Sequence, residues 1–171
     1  GVPITIQSPI VFTSPAAGTS YNTSSTIRMT LSAANSQSTS VTVTLICGNA
    51  VAGSVSGAIS STLTISNPSS FGNCLLSTAS TNTFYNTTSA ALNVTINRIL
   101  LLQAPTANQV IVAGTRFNYL ASARYGSTSD SYALIGTCQQ GSFNFGGNVN
   151  VSSSAVIDAS VFGSCSVFAG T

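Results

Sequence analysis

The sequence predicts an all-β chain of two tandem sandwich domains. Three observations carry this expectation. Apolar and polar residues alternate with period two through most of the chain, no segment shows a 3.6-residue period, and a block of sequence recurs once at an offset of about 90 residues.

Composition narrows the chemistry. Of 171 residues only six side chains are charged: Arg28, Arg98, Arg116 and Arg124 against Asp130 and Asp158. Lys, Glu, His and Trp are absent, whereas Ser, Thr and Asn number 30, 22 and 14. Four scattered Arg cannot neutralise a row of phosphates, so a nucleic-acid partner is excluded. Acid–base catalysis lacks its usual agents, and the expectation is no enzyme. A hydrophobic content of 43%, a mean hydropathy of +0.40 and a net charge of +2 argue against disorder. The longest apolar run, Ile99–Leu102, is far short of a membrane span. The chain opens on Gly1 without an initiator Met, which reads as a mature product, although an artificial start would look the same.

From the N-terminus, Val2, Ile4, Ile6, Ile10 and Phe12 form an alternating arm over residues 1–12. A first domain follows over 13–97. Its strands show in Ile27, Met29 and Leu31, in Val41, Val43, Leu45 and Cys47, in Leu63 and Ile65, and finally in Leu92, Val94 and Ile96. A second domain over 98–171 repeats the pattern with Phe117, Tyr119 and Ala121, then Tyr132, Leu134, Gly136 and Cys138. Gly/Ser/Asn/Pro clusters such as 67–70 mark the turns between them.

The four Cys fall in two pairs with the same spacing of 27, Cys47 with Cys74 and Cys138 with Cys165. No CxxC occurs, so zinc has little support, and two intra-domain disulfides are expected over four buried thiols. Such bridges belong to an oxidising exterior or to a hyperthermophile. Four Asn-X-Ser/Thr sequons, at Asn22, Asn86, Asn93 and Asn150, are candidate N-glycosylation sites, although a chain this rich in Ser, Thr and Asn produces some by chance.

The repeat carries the main inference. Thr5, Ile6, Pro15 and Ala17 recur as Thr95, Ile96, Pro105 and Ala107, and Phe71-Gly72-Asn73-Cys74 recurs as Phe162-Gly163-Ser164-Cys165. Short strands, one Cys pair per repeat and about 80–90 residues per unit suggest immunoglobulin-like sandwiches, without the Trp that packs on the disulfide in antibody domains. The second domain has no counterpart of the Leu92–Ile96 strand. Its counterpart by offset is Val2–Ile6, ahead of the first domain. The expectation is therefore a donor strand: the arm of one copy completes the second domain of the next, head to tail.

With the arm, the Cys pairs and the sequons, the chain resembles the subunits of archaeal extracellular thread filaments. That resemblance implies an N-glycosylated homopolymer on the cell surface, serving adhesion, cell–cell contact or biofilm, with a cell-surface or glycan receptor as a further class of partner. It implies no cofactor and no metal. Two alternatives stay open: a monomeric tandem adhesin or carbohydrate-binding module, and a surface-layer stalk. Asp130 and Asp158 lie in polar turns with no catalytic context; an ion pair of Arg28 with an Asp, and a role for Arg98 at the domain junction, are further expectations.

Overall fold

In the computed structural model, which describes residues 1–34, 39–87 and 90–170, every regular element is a strand. The chain divides into unit 1, Gly1–Asn97, and unit 2, Arg98–Thr171.

Unit 1 contains β1 (Ser8–Pro9), β2 (Val11–Ser14), β3 (Ser20–Asn22), β4 (Thr26–Ser32), β5 (Ser40–Cys47), β6 (Ala50–Ala58), β7 (Leu63–Ser66), β8 (Gly72–Ser80), β9 (Tyr85–Asn86) and β10 (Ala91–Asn97). One sheet runs β3-β10-β8-β5-β6 and faces a second, β2-β4-β7, while β1 pairs with β9. The alternation has its expected cause. Ile27, Met29 and Leu31 of β4, and Val41, Val43 and Leu45 of β5, are buried in one core, and Arg28, Thr30, Thr42 and Thr44 between them point to the other face. Burying each such side chain is worth roughly 1.5–3 kcal/mol.

Unit 2 contains β11 (Leu100–Ala104), β12 (Arg116–Ala123), β13 (Ser131–Gln140), β14 (Ser142–Asn148), β15 (Ser153–Val156) and β16 (Phe162–Gly170). Its sheets are β11-β12-β15 and β14-β13-β16. The register of β2 on β4 recurs in β11 on β12. Phe12 faces Leu31 and Ser14 faces Thr30 across an irregularity; Leu102 faces Ala121 and Ala104 faces Leu120 across the same one. Two immunoglobulin-like sandwiches in tandem are thus the architecture.

One feature adds to the sequence expectation and one departs from it. Each disulfide staples neighbouring strands of one sheet, β5 to β8 and β13 to β16, and does not cross between sheets as in antibody domains. Cys47 lies directly opposite Cys74, and Cys138 opposite Cys165, at Cα–Cα distances of 4.1 and 4.0 Å. The arm is also shorter than residues 1–12. Ile10 is wholly buried in unit 1 and Phe12, in β2, packs against the same core, so only about Gly1–Gln7 projects. The physical reason is that β2 pairs with β4 and must turn its apolar side inward.

The two cores are filled differently. In unit 1, Leu45 lies opposite Gly53; at the equivalent place in unit 2, Gly136 lies opposite Phe143. A Cβ on Gly136 would lie 2.1 Å from the Phe143 ring, so that ring occupies the space a side chain would take. Phe143 continues into an aromatic cluster with Phe117, Phe145 and Tyr119 at centroid distances of 5.4–6.5 Å.

Candidate functional site

The site is the edge of β16. In unit 1 the corresponding edge of β8 is covered by β10, with Val94 opposite Cys74 and Ile96 opposite Gly72. β10 in turn is flanked in parallel by β3, with Thr95 beside Ser20 and Ile96 beside Tyr21. Val94 and Ile96 are 2% and 1% exposed. Among the described residues of unit 2, no strand occupies that place. A groove of about 720 Å³ lies there, between residues 105–113 on one wall and 161–167 on the other.

Equivalent residues show what the missing cover does. Cys74 is 3% exposed, whereas Cys165 is exposed. Phe71 is half-buried against its core; Phe162 is 59% exposed. On the opposite wall, the segment equivalent to β3 is Val110-Ile111-Val112, which has no strand pairing and leaves Val110 and Val112 largely exposed. Exposed apolar side chains along an unpaired sheet edge are a template for pairing.

One wall repeats the turn that β10 bonds to in unit 1. Thr19 N–H donates to Ala16 C=O in unit 1, and Gln109 N–H donates to Thr106 C=O in unit 2. Gly18 and Asn108 occupy the same left-handed position, at φ of 79° and 62°. In unit 1, Gly18 N–H donates to Asn93 C=O at 2.8 Å and Thr95 N–H donates to Thr19 C=O at 3.0 Å. Asn108 and Gln109 offer the corresponding groups.

Val2, Ile4 and Ile6 are 87%, 79% and 82% exposed, and residues 1–7 belong to no strand. The arm is tethered at its base, where Gln7 Nε2 donates to Thr83 C=O and β1 pairs in parallel with β9. Ser8 Oγ accepts from Ala34 N–H at 3.2 Å.

Both predicted disulfides are formed, Cys47–Cys74 and Cys138–Cys165. The sequon asparagines are dispersed. Asn22 ends β3, Asn93 faces outward on β10, Asn86 is half-buried in β9, and Thr88 of its sequon lies outside the described residues. Asn150 is exposed in a turn at φ 62°, and its amide is engaged: Oδ1 accepts from Ala123 N–H and Nδ2 donates to Gly126 C=O. That structural use is invisible in the sequon itself.

The carboxylates take structural places. Arg98, not Arg28, pairs with Asp130, which also accepts from Ser127 N–H at 2.8 Å. The Ser127 hydrogen bond first, and the Arg98 guanidinium second, hold Asp130 below the usual carboxylate range. Asp158 is held below it by the hydroxyl and amide of Ser160. Among the described residues there is no cluster of three or more metal-ligating side chains, and no helix is long and apolar enough to cross a membrane.

The two lowered carboxyls fix an expectation for acid. Their stabilising effect is present above the ordinary Asp pKa near ~3.9 and is lost only as pH falls through their lower folded values. Full protonation raises the side-chain charge only from +2 to +4, counting four Arg and two Asp. The thermal midpoint should therefore stay flat from pH 7 to about 4. Melts followed by circular dichroism check this; a decline between pH 7 and 5 contradicts it.

No family model and no curated protein matches the chain. Among solved structures, the fibronectin(III)-like modules of Clostridium thermocellum CbhA are similar over 94% of this chain and 92% of that chain. The identity is 17% and the TM-score 0.36.

Proposed function

We propose that this chain is the structural subunit of an extracellular filament, in which residues 2–6 of one copy enter the groove of unit 2 of the next. One observation carries the reading: positions buried beneath β10 in unit 1 are open in unit 2, while a segment with the pattern of β10 projects unpaired from unit 1. By the repeat, Ile4 falls opposite Cys165 and Ile6 opposite Gly163, with Val2 near Val167. Thr5 and Ile6 then run beside Val110 and Ile111.

Pro3 fits this register. It takes the place of Asn93, whose carbonyl accepts the Gly18 N–H, and proline keeps its carbonyl. The contact is heterologous, so it propagates unless its rotation closes a ring. The two disulfides suit a protein that matures in an oxidising compartment. Glycans on Asn22, Asn86, Asn93 and Asn150, and a role in adhesion, cell–cell contact or biofilm, belong to the same proposal.

A synthetic peptide of residues 1–12 tests it. Added in excess to the full chain, it should raise the melting temperature of unit 2 in a concentration-dependent way and shorten filaments by occupying free grooves. The same peptide with Ile4→Asp should do neither. Equal action of both peptides, or a strictly monomeric chain that binds neither, overturns the proposal and leaves the tandem adhesin in its place.

A further inference from the structure

The two disulfides share spacing, strand pairing and register, yet their surroundings differ. Cys47 and Cys74 are 5% and 3% exposed, with Val94 of β10 paired beside Cys74 in the same sheet. Cys165 is exposed and Cys138 half-buried, and both line the groove of unit 2. Thiol–disulfide exchange requires a thiolate to reach a sulfur, so access decides which bridge reacts. No cationic side chain lines the groove wall to steer the reagent, so steric access is the difference that matters.

We propose that Cys165 is a thiol-exchange site: a low-molecular-weight dithiol opens Cys138–Cys165 in the free subunit while Cys47–Cys74 stays closed, and an inserted strand shuts the site. The second half rests on the filament reading above. The first half rests only on exposure.

The chemistry balances without further reagents. A thiolate of the dithiol attacks Cys165 Sγ, the bridge breaks, and Cys138 leaves as a thiolate. The second thiol of the reagent attacks the mixed disulfide and closes its own ring, and Cys165 leaves as a thiolate. Two electrons pass from reagent to protein, and the two cysteines take up protons from solvent. Because the bridge clamps β16 to β13, its opening loosens the very edge that would receive a strand. An assembled junction thus protects its own bridge.

The test uses the dilute full-length chain in dithiothreitol without denaturant. Free thiols are alkylated at intervals and located by peptide mapping. Cys138 and Cys165 should label faster than Cys47 and Cys74 by about tenfold or more. In sedimented polymer, or with the peptide of residues 1–12, labelling of Cys138 and Cys165 should fall towards the rate of the first bridge. Equal rates for both bridges, or earlier opening of Cys47–Cys74, overturn the exchange site whatever the peptide does. Selective labelling that neither peptide nor polymerisation slows keeps the exchange site but overturns its closure by a donor strand, and with it the filament reading. A Cys138→Ser, Cys165→Ser double variant should show almost no labelling under the same conditions; rapid labelling of its remaining pair would count against the proposal.

Discussion

On the filament reading, removal of residues 1–7 is expected to turn a polymerising chain into a monomer while unit 1 stays folded. Val2, Ile4 and Ile6 are almost fully solvated in the single chain, so deleting them removes no packing from unit 1. Ile10 and Phe12 remain in its core, and β10 still closes its sheet. In the filament the three side chains would be buried at roughly 1.5–3 kcal/mol each, a gross gain of about 5–9 kcal/mol. Ordering a seven-residue arm consumes much of this, and ladder hydrogen bonds return part of it. Even a net ~4 kcal/mol is about a thousandfold in association. Ile4→Asp should act as strongly as the deletion, since an unpaired carboxylate would be placed against the Cys138–Cys165 bridge, at a cost of several kcal/mol. Sedimentation and electron microscopy read the polymer, and circular dichroism reads unit 1. Normal filaments from either variant would end the donor-strand account.

Ile96→Asp should do inside the chain what Ile4→Asp does between chains. Ile96 is 1% exposed, lies opposite Gly72 and beside Tyr21, and has Ile6 as its counterpart in the arm. Losing its packing and burying a carboxylate together cost on the order of 3–5 kcal/mol, a large share of the stability of a domain this size. We expect unit 1 to melt at a markedly lower temperature and Cys47–Cys74 to become reducible without denaturant. Ile6→Asp, at a position 82% exposed, should leave the monomer's melting unchanged and affect assembly alone. Equal destabilisation of the monomer by both substitutions would mean that the arm already packs within its own subunit.

Much of this molecule was legible because β structure writes a simple code. Alternation marked the inward faces of β4, β5, β12 and β13, for a half-buried strand must place every second side chain in the core. The recurrence of Phe-Gly-X-Cys and Thr-Ile marked the two units, and the common spacing of 27 paired the cysteines. The same repeat aligns Val2, Ile4 and Ile6 with Leu92, Val94 and Ile96 of β10.

Other features depend on which strands become neighbours, and spacing does not encode that. Nothing in the sequence showed that the bridges join adjacent strands of one sheet, or that Phe143 fills the space above Gly136 where unit 1 sets Leu45 over Gly53. The partner of Asp130 was equally hidden, because Arg98 reaches it across a sequence separation of 32. The boundary of the arm is hidden for the same reason. Ile10 and Phe12 resume its alternation after Ser8, and only the pairing of β2 with β4 draws them into unit 1. Alternation states which side of a strand is apolar. Which core that side enters is decided by the neighbouring strand, and for Val2, Ile4 and Ile6 no neighbour exists among the described residues of the single chain.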